Sequence, residues 1–412
     1  MDDRQNDLWQ GGPWEQPSPS FPTPPPVSIP TARPVLRTRR RHRRWPFVVG
    51  GLLAFLLIGL LLAVLSGLFP FRPIQWAPAG PPAPSDPAQA QEYNTQPPTI
   101  PKAPTGTGVT LELLPAGDTA LTYSQIYKAN APSIVSINAA SGQEYSTGTG
   151  VILTRDGYIV TNAHVVAGAD YVQVVFSNNQ ALDAMLVGFN AREDLAVLKV
   201  EADDLTPAQF GDSALLEQGD PVAAIGDPLG YRSTITDGIV SALDREVTVD
   251  GETMVLIQTS AAINFGNSGG ALINQYGQVV GITTVKIVSN DGSVEALGFA
   301  IPSQRVKYVV DRLIAGEEIR TGVFGITVST LPAEGGGLSV ISVEPNSDAH
   351  AKGILPGDVI LTVNGQPIAG TQDLVRAKLA LGPGDPVTLT YRRDGTVHTV
   401  EVLLIDAEAV PK

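Results

Sequence analysis

Ala271-Leu272-Ile273-Asn274-Gln275-Tyr276-Gly277-Gln278-Val279-Val280-Gly281-Ile282-Thr283 sets two short apolar runs around a polar turn. Runs this short, bounded by Gly and Asn, suit β-strands rather than helices. The same figure occurs upstream, where Gly150–Leu153 and Tyr158–Thr161 flank Arg155-Asp156-Gly157. Repetition of short strands and turn signals over roughly 200 residues is the pattern of an all-β sandwich or barrel. The expected domain spans residues 119–317. It closes on a helix over Ser303–Ala315, with Val306, Val309, Val310, Leu313 and Ile314 on one face. Ser303 is the expected N-cap and Gly316 the stop.

A smaller β-rich unit is expected over 318–407, with one helix around Thr371–Leu381 and a last hairpin turning at Arg393-Asp394-Gly395. Upstream the composition changes. Residues 1–44 are rich in Pro, Ser and Gln and end in the basic run Arg37-Thr38-Arg39-Arg40-Arg41-His42-Arg43-Arg44, which reads as a disordered tail. Residues 45–69 read as a membrane anchor. Phe47–Phe69 carries no charge and, at ~1.5 Å per residue, makes roughly 35 Å of helix, enough for a ~30 Å hydrocarbon core. Trp45 and Trp76 bracket it, and six arginines on its N-terminal side place that side in the cytoplasm. Residues 70–118 read as a Pro-rich linker.

The chain of 412 residues contains no cysteine, which excludes disulfides, thiolate metal sites and a cysteine nucleophile. Beyond residue 70 it carries 19 basic against 37 acidic side chains, a balance of −18 that gives no support to nucleic-acid binding. There is no nucleotide-binding glycine loop and no metal-ligand cluster, so no cofactor and no metal are expected.

Immediately before the opening hairpin stands Gly266-Asn267-Ser268-Gly269-Gly270. A serine hydroxyl attacks a carbonyl only when a neighbouring base takes its proton. Flanking glycines let backbone N–H groups converge where an oxyanion would form. Of the four histidines, His42 lies in the basic run, and His350 and His398 lie in the C-terminal unit. His164, in Thr161-Asn162-Ala163-His164-Val165-Val166, shares a domain with Ser268. A carboxylate must then orient the imidazole. Asp194 opens the apolar run Leu195-Ala196-Val197-Leu198 and is preferred, with Glu193 and Asp183 as competitors. The order His, Asp, Ser, with spacings of 30 and 74 residues, is that of chymotrypsin.

These motifs, with Ala224-Ile225-Gly226-Asp227-Pro228-Leu229-Gly230, Gly238-Ile239-Val240-Ser241-Ala242-Leu243, Ala261-Ala262-Ile263-Asn264 and Gly298-Phe299-Ala300-Ile301-Pro302, occur in one order along the chain. Together they resemble the HtrA (Deg) serine proteases, in particular the membrane-bound branch. The resemblance covers roughly residues 120–405. It implies a mainly β fold: a chymotrypsin-like double β-barrel protease domain, then a PDZ domain, behind an N-terminal transmembrane helix. It implies Ser268 as nucleophile, His164 as general base and Asp194 as its orienter. The oxyanion hole would be the backbone N–H groups of Gly266 and Ser268, helped by Asn267. Ala262, Ile263, Lys286 and Ile287 would line the specificity pocket. Ser260, Phe265 and Lys286 depart from the residues usual in that family. Val323-Phe324-Gly325-Ile326 resembles the carboxylate-binding turn of a PDZ domain, and Gly353–Ile360 with Val363-Asn364-Gly365 its core motif.

The implied activity is a serine endopeptidase cleaving unfolded, damaged or regulatory envelope proteins. Its partners would be unfolded or C-terminally exposed polypeptides, the membrane through residues 47–69, and two further copies in a homotrimer. The alternative is an anchored PDZ scaffold or holding chaperone with a silent protease domain. The topology is directly testable. Protease digestion of intact cells is expected to remove residues 105–412 and spare the N-terminal tail, and the reverse pattern would overturn the orientation.

Overall fold

A computed structural model describes residues 94–227, 234–249, 252–264, 266–284 and 298–410. The expected anchor at 47–69, the N-terminal tail, Phe265, Lys286 and Ile287 lie outside the described residues. Among the described residues no helix is long and apolar enough to cross a membrane.

A helix α1 (Tyr123–Asn130), closed at its start by a Thr122/Gln125 capping box, leads into the first sheet. That sheet comprises β1 (Ile134–Ser141), β2 (Glu144–Ile152), β3 (Tyr158–Thr161), β4 (Tyr171–Val175), β5 (Ala181–Asp183), β6 (Met185–Asn190) and β7 (Leu195–Lys199), with a one-turn helix α2 (Ala163–Val166) after β3. All its pairings are antiparallel, in the order β5-β4-β1-β2-β3-β7-β6. The second body is a closed barrel of β8 (Pro221–Gly226), β9 (Thr234–Val249), β10 (Glu252–Thr259), β11 (Ala271–Asn274), β12 (Val279–Thr284) and β13 (Gly298–Pro302). The expected pair of barrels is thus a closed ring in one half. In the other half the strand-to-strand path ends at β5 and β6.

The β6 edge is covered by an upstream segment. Lys102 bridges Leu186 in parallel, the Ala103 N–H donates to the Leu186 carbonyl (2.9 Å), and the Leu186 N–H donates to Pro101 (2.8 Å). The expected linker over 70–118 is therefore no free tether from residue 94 onward. Ile100, Ala103 and Leu111 are buried against the domain, and the Leu114 N–H donates to the Phe210 carbonyl (2.8 Å). An extended Pro-rich segment has few donors of its own, and here it covers an edge that would otherwise present unpaired backbone. Composition alone does not distinguish a docked strap from a free one.

The helix over Ser303–Ala315 appears with the bounds expected, as α3. Gly316 stops it in the left-handed conformation (φ 77°), with its N–H on the Arg312 and Leu313 carbonyls. Ser303 does not cap it. Pro302 is the N-cap, and the Ser303 hydroxyl donates to the Gly211 carbonyl (2.6 Å) while accepting from the Ser213 N–H (2.9 Å). A tertiary contact has taken the oxygen that the local pattern assigned to the helix end.

The C-terminal body pairs β14 (Gly322–Val323) with β21 (Ile405–Asp406). Its main sheet holds β15 (Ile326–Pro332), β16 (Leu338–Val343), β17 (Val359–Val363), β19 (Pro386–Arg393) and β20 (Thr396–Leu403), in that order, with β18 (Gln366–Pro367) against β17. Two short helices, α4 (Asp348–Ala351) and α5 (Thr371–Ala377), complete it. β15 and β20 are the outer strands of the sheet. Asp358, buried, is held by Arg393 through two bonds of 2.5 and 2.6 Å and accepts the Leu355 N–H (2.8 Å).

This body is docked on the barrel through α5 and the segment after it. Arg376 donates from Nε (2.7 Å) and Nη2 (2.6 Å) to Asp244 in the long β9–β10 hairpin. Burial pushes the Asp244 carboxyl up, against the pull of Arg376. Arg305, on α3, clasps Glu193 with Nε (2.8 Å) and Nη2 (2.5 Å) and reaches the Leu379 carbonyl (3.3 Å). Removing one partner of so buried a pair leaves an uncompensated charge. Arg305→Ala is expected to lower unfolding stability by about 3–5 kcal/mol, read by denaturant titration.

Candidate active site

His164 and Asp194 meet where the first sheet abuts the barrel. Asp194 is 1% exposed. A bare carboxylate in such a place would be costly, so its partners define the site. The His164 Nδ1 lies 2.8 and 3.0 Å from the two carboxylate oxygens, and the His164 backbone N–H donates to Oδ1 (3.1 Å). The Thr284 hydroxyl, at the end of β12, donates to Oδ2 (2.9 Å). One carboxylate thus ties α2 of the first sheet to a strand of the barrel. With Nδ1 on the carboxylate, the ring keeps Nε2 as the nitrogen that can take up a proton.

Asp194 holds this position in a left-handed backbone conformation (φ 50°), which Asp and Asn tolerate better than other non-glycine residues. The Asn162 side chain donates to the Asp194 carbonyl (3.0 Å) and so fixes the turn. The competitors go elsewhere. Glu193 faces Arg305, and Asp183, on the surface, accepts the Tyr171 hydroxyl (2.6 Å). His398 stacks on Tyr391 in the C-terminal body (5.3 Å between rings).

The Ser268 loop is built against β2, the neighbour of the strand that leads to His164. The Thr149 N–H donates to the Ser268 carbonyl (2.8 Å), and the Thr149 hydroxyl donates to Gly266 (2.6 Å) while accepting the Asp227 N–H (2.8 Å). From the other side Thr283 Oγ1 donates to the Asn267 carbonyl (2.7 Å) and the Gly269 N–H to the Thr283 carbonyl (2.9 Å). Gly269, at φ 81°, has no room for a side chain, since a Cβ there would run into the Thr149 carbonyl and the Thr161 hydroxyl. Ser268 is therefore pinned between β2 and β12, both of which also border the His164–Asp194 pair.

Asn267, which the resemblance implies as a helper of the oxyanion hole, carries an amide side chain. That side chain is buried, with Nδ2 toward the Ala262 carbonyl at 3.4 Å. The same carbonyl accepts from Thr236 (3.0 Å). Ala262 is exposed and Ile263 half-buried against the barrel. Ser260 accepts the Ile239 N–H with its hydroxyl (3.0 Å). Sequence reasoning missed Thr284, Asn162 and Thr149. Asn162 lay inside a motif already singled out, and its proximity to His164 was the available signal. Thr284 and Thr149 carry none, because a threonine in a strand is the ordinary outcome of β-propensity.

In the C-terminal body, Phe324 is buried in the core and Gly325 has φ 69°. Val323 pairs with Ile405, and Ile326 opens the outer strand β15. These four residues form the turn that precedes an edge open to strand addition, with α5 packed beside β15.

Residues 148–282 match the trypsin-like peptidase domain family and residues 322–404 the PDZ domain family. The chain is 40% identical over 305 residues to "Serine protease Do-like HtrA" of Lactobacillus helveticus, covering 68% of this chain and 74% of that protein. It is 40% identical over 270 residues to "Probable periplasmic serine protease do/HhoA-like" of Haemophilus influenzae, covering 62% and 58%. Among solved structures it is similar to "HtrA-type protease AlgW with tripeptide", with a TM-score of 0.54 and 33% identity over 69% of this chain and 97% of that one.

Thr284→Val keeps the side-chain shape and deletes the donor to Asp194. It is expected to cost about 1–3 kcal/mol of unfolding stability, and Thr284→Ser to restore most of it. A valine variant as stable as the parent would mean that Oδ2 draws nothing from Thr284.

Proposed function

The chain belongs to the HtrA family of serine proteases, and from that membership we propose that His164, Asp194 and Ser268 perform its endopeptidase chemistry on envelope proteins. The observation that carries the reading is the buried Asp194 carboxylate, shared by the His164 ring and Thr284 beside the pinned Ser268 loop. Ser268 Oγ attacks the scissile carbonyl while His164 Nε2 takes its proton. The Asp194 carboxylate holds the tautomer and offsets the imidazolium charge. The tetrahedral oxyanion receives backbone N–H donors from Gly266 and Ser268. Because Asn267 turns its amide to Ala262, its part is to shape the loop. The imidazolium returns its proton to the leaving amine, and water then hydrolyses the acyl-enzyme by the same path in reverse.

Residues 47–69 hold the protein in the membrane, and the arginine run keeps Met1 in the cytoplasm and the protease outside. Periplasmic relatives support that side of the membrane. The PDZ domain takes C-terminally exposed polypeptides by adding a strand to β15, with Val323, Phe324, Gly325 and Ile326 around the terminal carboxylate. The working form is a homotrimer. At the cleaved position the enzyme prefers small or medium apolar residues. Ala262 and Ile263 place no charge beside the pocket, and a lysine or arginine buried there would lack a counter-ion.

Ser268→Ala is expected to abolish peptide cleavage and fluorophosphonate labelling with the fold intact. Undiminished turnover by a pure sample would end the triad assignment. A peptide library run on the parent enzyme should show cleavage after Val or Ala. Dominant cleavage after Lys or Arg would sink the apolar pocket, and dominant cleavage after Asp or Glu would place Lys286 inside it.

A further inference from the structure

The segment Asn94–Ala103 touches both elements that carry the His164–Asp194 pair. At its start it meets the three residues that follow α2. The Gly168 N–H donates to the Gln96 carbonyl (2.8 Å), the Thr99 N–H donates to the Ala169 carbonyl (2.7 Å), and the Asn94 side-chain amide lies 3.4 Å from the Ala167 carbonyl. At its end it pairs through Pro101 and Ala103 with Leu186 on β6. β6 in turn pairs with β7, which begins one residue after Asp194, and Asn190 faces Leu195 across that ladder. Between these ends Ile100, 6% exposed, joins the apolar cluster of Val165 and Val166, next to His164, and of Ala196 and Leu198, just beyond Asp194.

The α2 helix needs such support. It has a single turn, no side-chain N-cap bond and an extended C-cap residue. One isolated turn fixes several dihedrals for very few hydrogen bonds and does not hold itself. The strap supplies donors just past the helix end, to the carbonyl of Ala167, its C-cap residue, and to that of Ala169 in the turn that follows.

We propose that Asn94–Ala103 is a positioning segment for the catalytic pair. It holds the residues that follow the His164 turn and ties them to the β6–β7 hairpin bearing Asp194, so that chain well outside the trypsin-like match sets the geometry of proton transfer. Thr99 and Ile100 are its two working residues. The inference rests on the triad assignment above. It concerns kcat and not substrate capture, because among the described residues Ile100 belongs to a different apolar cluster from Ile263 of the assigned pocket. Small losses of alignment at a reacting centre cost large factors in rate.

The test uses the full-length protein. Thr99→Pro removes the N–H that Ala169 receives, and Ile100→Ala removes the apolar anchor. The two are combined in one variant, with Ile100→Val alone as the conservative control. Hydrogen exchange at the Gly168 amide reports whether the strap is docked, and kcat is expressed per fluorophosphonate-titrated site, so unfolded molecules do not count. In the double variant Gly168 exchange should accelerate, kcat per site should fall about 10-fold or more, and KM should stay within about twofold. Ile100→Val should keep both near the parent values. Faster Gly168 exchange with unchanged kcat per site would overturn the proposal and leave the strap as a mere cover for the sheet edge. Unchanged exchange in the double variant would overturn it too, because these contacts would then not hold the segment. Ser268→Ala, run alongside, separates the two readings. Residual parent-level turnover there removes the triad itself, whereas an inert Ser268→Ala beside a fully active strap variant removes only the strap.

Discussion

A carboxylate buried at the seam of two β-sheets is the constraint on which the catalytic domain depends. Asp194 cannot sit there as a lone charge, and each partner that makes it tolerable comes from a different element: His164 from α2 and Thr284 from β12, with Asn162 bracing its backbone. Satisfying that one group brings the end of β3, the start of β7 and the end of β12 together. The Ser268 loop then has a floor, because Thr149 and Thr283 reach it from strands whose neighbours already surround the pair. A stability requirement and the geometry proposed for catalysis are thus met by the same hydrogen bonds.

Next to Asp194 stands a second, half-buried carboxylate, Glu193, and its partner leads outward. Arg305 neutralises Glu193 and donates on to Leu379 in the PDZ domain, while Arg376 of that domain is received by Asp244 on the barrel hairpin. The PDZ body is held by charge-assisted bonds from α5 and the residues after it, the same helix that flanks the edge strand β15. Polar docking of this kind is weaker and more easily exchanged than an apolar interface of equal area.

Much of this was legible from the chain because short-range signals and tertiary structure agree over long stretches. The hairpin at Gln275-Tyr276-Gly277, the α3 bounds and the Arg393-Asp394-Gly395 turn follow from periodicity and turn chemistry alone. His164 was found by elimination, since there were few histidines, and Asp194 was preferred over Glu193 on the apolar run after it. What escaped was whatever depends on a distant partner. The Ser303 hydroxyl turns to Gly211 instead of capping its own helix. Thr284 looks like any strand threonine until Asp194 is placed beside it. The positive φ of Asp194 is invisible in composition, because the turn that demands it is closed by Asn162, thirty-two residues upstream.

The Pro-rich stretch before the first sheet has a further consequence, in the unfolded chain and not in the folded one. Pro97, Pro98, Pro101 and Pro104 fix φ at four of the eight residues from 97 to 104 and restrict the residues before them. A chain so stiffened has few conformations to lose, so docking it forfeits less entropy than docking a flexible segment of the same length. That is how a strip with only Pro98, Ile100 and Ala103 buried in its first ten residues can lie ordered on a sheet edge. Gly106 and Gly108 follow, both at positive φ and with open space around them. Stiffness gives way to a swivel there, and the chain can change direction toward α3 without disturbing the part already laid down.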